Sequence, residues 1–336
     1  MKAITRFTNA IMEKYLPDPY IFVAILTAIV VGLGMIFTDS SFVDMTIYWG
    51  DGFWGILAFT MQMVIVLAAG HVLANSPLFK KVLSGAASKI KTPSMAIIVV
   101  TFVSLVACWI NWGFGLVIGA LFAKEIARQV RKVDYRLLIA SAYSGMVIWH
   151  GGLAGSIPLS IATEGHPFQD VMGVVDTNTT LFSTYNLFIV LVILFTLPFF
   201  NRFLMPKDED VVEIDPSLIK DEEIALPKPE KNFASISERS YIITGIVGLL
   251  GVTYIVYHFA TKGFKLDLNI INTIFVISGI ILHGTPQRFL AAAQQAIKTT
   301  SGIVFQFPFY AGIMGMMTFS GLGAVMSDWF INISND

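Results

Sequence analysis

Residues 93–123 run for thirty-one positions, PSMAIIVVTFVSLVACWINWGFGLVIGALFA, without a charged side chain. Lys89 and Lys91 stand just before the run, and Lys124, Arg128, Arg131, Lys132 and Arg136 follow it. Basic clusters beside an apolar segment mark the cytoplasmic face of a membrane. One helix crosses the hydrocarbon core in about 20 residues, and two crossings need roughly twice that. The run is too long for one crossing and too short for two, and both flanks carry the cytoplasmic signature. A hairpin that enters the membrane and returns to the same face meets all three conditions. Its tip falls at Asn111-Trp112-Gly113-Phe114-Gly115, with irregular backbone at membrane depth. Such backbone is tolerated only where protein buries it or it lines a cavity, so the run reads as an element of a transporter or channel.

The rest of the chain agrees with that setting. It is 55% hydrophobic and 13% charged, with a mean hydropathy of +0.71, far from the balance of a soluble domain. An all-α polytopic membrane protein is expected, with the lipid bilayer as its main partner. A net charge of −1 speaks against a nucleic-acid partner, which asks for a basic face. The single cysteine, Cys108, lies in the apolar run, so neither a disulfide framework nor a cysteine metal site is available. The first apolar run, 20–37, lacks a small-residue cleavage site and reads as a retained helix.

Read in order, residues 3–16 form a short basic amphipathic stretch, followed by spans at about 20–37 and 52–74. The connection 38–51 carries Asp39, Asp44 and Asp51 without Lys or Arg, and is placed outside. Residues 76–92 read as an interfacial helix, and 124–136 as a cytoplasmic basic helix after the hairpin. An interrupted span covers 137–163, an acidic external loop 164–182, and a further span 184–204. Residues 205–239, with ten acidic and five basic side chains, read as a cytoplasmic polar linker. It separates a first membrane repeat, 1–204, from a partial second one, 240–336, with spans at about 241–260, 269–283 and 301–319. This threading leaves only Lys262 and Lys265 of the 22 Lys and Arg outside. The bias puts the N-terminus in the cytoplasm of a cell with an inner membrane.

An internal repeat supports the division. Residues 73–90 and 317–334 each follow an apolar span, open with Ser and Gly or Pro, and continue as an amphipathic stretch. Span parity places the first inside and the second outside. Similar elements in opposite orientation are the mark of an inverted-topology repeat, an architecture of secondary transporters.

Two stretches carry the candidate chemistry. At the hairpin tip, Asn111, Trp112, Gly113 and Gly115 offer either carbonyls and an amide to a cation or N–H groups to an anion, since helix ends present partial charges of either sign. The alternative is a helix kink with Trp112 as an interfacial anchor. In the second stretch, three glycines and Pro158 within 151–158 forbid a regular helix. That break frees backbone groups around His150, Gly151 and Gly152, with Ser144 and Ser156 adding hydroxyls. His150 is expected to add a donor or a group able to titrate near neutral pH, or simply to mark the outer membrane edge. His71 reads as an interfacial histidine, and Gln62 as a packing amide between helices. No metal or organic cofactor is expected, leaving Na⁺ or H⁺ as the coupling ion.

Enzymatic readings find little support. His150-Gly151-Gly152 with Ser156 has the look of an esterase oxyanion motif, but no G-x-S-x-G elbow accompanies it. There is no H-E-x-x-H, no P-loop and no dinucleotide fingerprint, so the chain does not drive transport with ATP.

Three stretches, LPDPYIFVAIL (16–26), NWGFGLVIGALFAKEIAR (111–128) and DYRLLIASAYSGMVIWHGGLAGSIPLSIAT (134–163), closely resemble the short-chain fatty acid transporters of the acetoacetate/butyrate type, within the larger ion-transporter superfamily. The resemblance extends across essentially the whole chain. It implies inverted repeats with paired re-entrant hairpins and cation-coupled uptake of small monocarboxylates such as butyrate. It carries substrate or ion contacts onto 111–115 and 144–158, and implies a homodimer, as superfamily relatives often form. The family pattern continues with a second glycine-rich hairpin and a second broken helix, so these residues correspond to its first and larger part. Two rivals stand beside this reading. One is another organic anion such as a dicarboxylate; the other is a non-transporting membrane subunit that needs a partner for its missing half.

Overall fold

The computed structural model describes residues 7, 8, 11, 12, 14–219, 226 and 228–334. The stretch expected at 3–16, the middle of the 205–239 linker and the last two residues fall wholly or partly outside them. Among the described residues every regular element is a helix, with no strand. Seven helical segments among the described residues are long and apolar enough to cross a membrane. The protein is a polytopic all-α membrane protein.

Local chemistry sets the helix starts. Helix α1, Pro19–Phe37, begins where the Asp18 side chain accepts a bond from Tyr20 N–H at 2.8 Å, with Pro19 at the first position. Proline suits that place because its missing N–H has no intrahelical partner there. The connection expected at 38–51 instead folds as α2, Phe42–Gly52. Ser41 and Asp44 form a reciprocal capping box there, with bonds of 2.8 and 3.2 Å. Two orphan backbone N–H groups are thereby satisfied. Helix α3 is Leu57–Ala74, and α4, Pro77–Ala87, lies within the stretch 76–92 expected as a helix.

Hairpin arms α5, Pro93–Ile110, and α6, Trp112–Gln129, follow. Only Asn111 leaves the helical region, at φ −159° and ψ 124°. The irregular tip expected over 111–115 is therefore one residue wide, and Trp112–Gly115 form the first turn of α6. The expected basic helix at 124–136 does not exist as a separate element. Lys124–Gln129 continue α6, because nothing between Ala123 and Lys124 caps or breaks it. Each arm is 18 residues long, about 27 Å, and α5 has the length and apolarity of a full crossing.

The interrupted span appears as α7, Tyr135–Ser144, a 3₁₀ stretch Gly145–Gly151, and α8, Ser156–Ala162. A one-turn helix, α9, spans Gln169–Met172, followed by α10, Thr184–Phe203. Helix α11, Phe233–Glu238, precedes the pair α12, Tyr241–Lys262, and α13, Leu268–His283. With 16 residues, α13 is an apolar helix shorter than the seven segments long enough to cross. Gly284, at φ +76°, ends it in the left-handed conformation that glycine takes without steric cost. Helices α14, Pro286–Lys298, α15, Ser301–Phe319, and α16, Leu322–Ile333, complete the chain.

Packing groups the helices into two compact units, residues 1–61 with 301–336, and residues 62–300. In the first, α1 and α2 pack with α15 and α16 around Val23, Val30, Met45, Ile313, Met316 and Leu322. A Cβ on Gly52 would lie 2.7 Å from Gly315 Cα. Small residues let the α2 and α15 backbones touch, the usual device where lipid removes a hydrophobic drive between helices.

The second unit is built on the hairpin. Helix α5 is buried at Ile97, Val100, Thr101, Ser104 and Leu105. Leu105, Ile148 and Val190 join it to the 3₁₀ stretch and α10. Ala68, Val72, Ala292 and Ala296 join α3 to α14. Gln62 bonds the Asn269 side chain at 2.9 Å, the packing role its sequence suggests. The first part of the 205–239 segment is docked rather than free. Asp134 caps α7 through Leu137 N–H at 2.9 Å, receives Val212 N–H at 2.9 Å, and pairs with Arg136 at 2.8 Å. Burial works against ionisation of Asp134, yet these hydrogen bonds and the Arg136 charge outweigh it and hold the carboxyl below the ordinary carboxylate range.

Candidate functional site

The hairpin tip meets the interrupted helix around Asn111. Asn111 is fully buried and serves both arms: its N–H bonds Ala107 C=O at 2.9 Å, and its Oδ1 accepts Phe114 N–H at 2.9 Å. Because a backbone donor faces the oxygen, the orientation of the amide is fixed by its network. Nδ2 is then left as a buried donor without a partner. Trp112 stacks on Trp149 of the 3₁₀ stretch, with centroids 5.7 Å apart, and the indole N–H groups of both are also buried and unpartnered. Three side-chain donors and no matching acceptor thus gather beside the N-terminus of α6, the positive end of its dipole. Buried polar groups are ordinarily paired, and such exceptions call for an explanation.

Backbone contacts lock the two elements together. Trp109 C=O accepts Leu153 N–H at 2.7 Å, and Trp109 Nε1 donates to Gly151 C=O at 3.1 Å. Gly151 C=O also receives the Asn186 amide at 3.2 Å. The glycines of the expected site are contact points. A Cβ on Gly113 would lie 2.7 Å from Leu67 Cα of α3, and one on Gly152 would lie 2.8 Å from Trp109 Cα. Gly115 lets α6 close on Cys108 of α5, and Gly151 abuts Val190. Absence of a side chain at these places is what lets α3, the hairpin and the interrupted helix approach.

The predicted residues do not form one cluster. Asn111, Trp112, Gly113, Gly115, Gly151 and Gly152 come together at the tip. His150 is exposed, its ring 4.3 Å from that of Trp149, and Ser156 opens α8 half-buried. Ser144 belongs to a different layer, where the Asn201 amide donates to Thr101 Oγ1 at 3.1 Å and Ser144 Oγ at 2.8 Å. Both hydroxyls in turn donate to backbone carbonyls, of Ile97 and Ser141. Nearby, Ser104 donates to Ala142 C=O. Trp149, Thr101 and Asn201 were not singled out from sequence. Only the polarity of Thr101 and Asn201 within apolar runs hinted at them.

No group of three or more His, Cys, Asp or Glu side chains suited to a metal exists among the described residues. A helical membrane protein with a hairpin seated against an interrupted helix, and donors exposed to neither water nor partner where they meet, has the build of a secondary transporter. The model of the family described as short chain fatty acid transporter matches residues 1–336, and the chain belongs to that family. A protein of Escherichia coli (strain K12), provisionally named as a short-chain fatty acid transporter, is 44% identical over 335 residues, covering 99% of this chain and 76% of the relative. One of Haemophilus influenzae (strain ATCC 51907 / DSM 11121 / KW20 / Rd), named the same way, is 43% identical over 341 residues, with the same coverage. No solved structure matches the chain.

Proposed function

We propose that this chain moves short-chain monocarboxylates, butyrate and acetoacetate among them, across the inner membrane by cation-coupled symport, and that the hairpin tip receives the carboxylate. One observation carries the assignment of the tip: its unpartnered buried groups, Asn111 Nδ2, Trp112 Nε1 and Trp149 Nε1, are all donors. A carboxylate is acceptor-only and answers them; a bare cation does not. Names given to the two bacterial relatives point to the same substrate class. The runs 20–37, 52–74, 93–123 and 137–163 contain no Lys or Arg. The anion is therefore held by dipoles and N–H groups, and a co-transported Na⁺ or H⁺ supplies the compensating charge. The distribution of Lys and Arg supports a cytoplasmic N-terminus.

Labelled butyrate uptake into proteoliposomes, under an inward sodium or an inward proton gradient, tests the proposal. Saturable uptake stimulated by one gradient and competed by acetoacetate is expected. No uptake under either gradient overturns it, and competition by dicarboxylates alone transfers the site to another class of anion.

A further inference from the structure

Beside the tip, within the second unit, lies a cavity of about 760 Å³ that the transport reading does not use. Its long wall is one face of α6. Trp112, Leu116, Ala120 and Lys124 recur every four residues and all line it, with Val117 and Leu121 alongside. The stripe is apolar from end to end and closes on a single ammonium group, about 18 Å along the helix from Trp112. Lys124 is half-buried and has no ion pair or hydrogen bond among the described residues. Its neighbour Glu125 also faces the cavity, but that carboxylate is held by Arg128 at 2.6 Å rather than by Lys124. Lys80, on α4, adds a second, exposed cation to the lining.

A cavity of this size falls in the range, about 300–1,000 Å³, that encloses drug-sized ligands, and it greatly exceeds what a four-carbon acid fills. We infer that it is a second binding site for a longer, single-chain carboxylate: a medium-chain fatty acid anion such as octanoate or decanoate. The carboxylate pairs with Lys124 and the acyl chain lies along Leu116, Val117 and Leu121 toward Trp112. Charge complementarity fixes the head group, and the apolar stripe accepts the tail. Because the tail runs toward Trp112, whose indole belongs to the tip, an occupant restrains the tip and inhibits movement of the short substrate. The site itself stands on the cavity and Lys124, independently of the tip reading.

The test is equilibrium binding of labelled octanoate to the full chain in lipid nanodiscs, with empty nanodiscs subtracted. Saturable binding is expected, tightening about fourfold for each added methylene from hexanoate to decanoate. Lys124→Gln weakens octanoate about tenfold through loss of a charged partner, while Lys124→Arg retains it and neither changes the binding of octanol. Ala120→Trp, which fills the stripe, weakens acid and alcohol alike. Thermal melts of each variant separate lost binding from lost folding. Octanoate binding that never saturates above empty nanodiscs, or that a folded Lys124→Gln leaves unchanged, overturns the inference. Asn111→Asp separates the two sites, since it is expected to abolish butyrate uptake while leaving octanoate binding intact. Loss of both in a folded Asn111→Asp protein would merge the cavity with the tip and sink the second site.

Discussion

Two polar regions lie along α5, one at Thr101 and one at its C-terminal cap Asn111, ten residues or about 15 Å apart, and they are built in opposite ways. At Thr101 the bridging groups are paired: the Asn201 amide donates to Thr101 and Ser144, and each of those two hydroxyls passes its own proton to a carbonyl. At Asn111 the oxygen is spent on capping α6, and three neighbouring N–H groups have nowhere to go. Satisfied amides and hydroxyls between helices act as glue, contributing about 0.6–2 kcal/mol each. Unsatisfied donors cost about 1–3 kcal/mol each when buried, a cost that a bound acceptor removes. Burial and polarity are common to both regions; only the bookkeeping of donors against acceptors tells a structural layer from a site.

The sharpest way to break that contrast is Asn111→Asp. Aspartate keeps the oxygen that caps α6, because the two residues cap about equally well, but it removes the amide donor and sets a negative charge where the carboxylate belongs. Butyrate uptake is expected to fall by at least about tenfold, with the melting temperature close to that of the parent. Wild-type uptake from this variant would show that the orphan amide is not a substrate contact. Trp149→Phe comes next. It preserves the stack on Trp112 and deletes one donor, so KM for butyrate should rise about fivefold. The free protein should be no less stable, since an unpaired buried group has gone. A lower melting temperature with unchanged KM would return Trp149 to a packing role.

Asn201→Leu probes the other side. Thr101 and Ser144 keep their backbone acceptors and lose only an incoming bond, so stability should drop by about 1 kcal/mol while uptake stays within about twofold. Abolished uptake in a folded Asn201→Leu protein would move the ion or substrate site into the Thr101 layer and undo the comparison.

Much of the scaffold was legible because membrane sequences advertise it. Charge-free runs marked the helices, the glycines and Pro158 marked the break between Ser144 and Ser156, and Asn111 marked the turn of the hairpin. Misreadings came from local rules outranked by others. Residues 38–51 read only as a connection between spans, yet Ser41 and Asp44 at a spacing of three form a capping box that starts α2. Lys124 was taken to open a new helix, although charge alone does not interrupt α6. Ser144 was grouped with His150 by proximity in sequence, while its hydroxyl reaches across to Asn201, 57 residues away. Whether a buried N–H finds an acceptor depends on which helices meet. No single-sequence pattern could have separated the Asn111 region from the Thr101 layer, or drawn attention to Trp149.

A third polar cluster, at the end of α6 and the start of α7, extends the comparison to a charged group. Asp134 is satisfied twice over by backbone N–H groups and once by Arg136, so it should behave as glue with a pH dependence. Its folded pKa lies below the unfolded value, which means its contribution is fully present above the ordinary aspartate pKa of about 4. That contribution is lost as pH falls through the folded value, when the unfolded state binds the proton more readily. Asn at the same position keeps the cap on α7 but cannot titrate. Asp134→Asn should therefore lower the melting temperature slightly at neutral pH and flatten its decline on the acid side, with uptake at neutral pH unchanged. An acid limb identical in the two proteins would mean that the docked segment around Val212 contributes nothing to stability. Altered uptake would mean that this end of the hairpin is coupled to the tip rather than merely anchoring it.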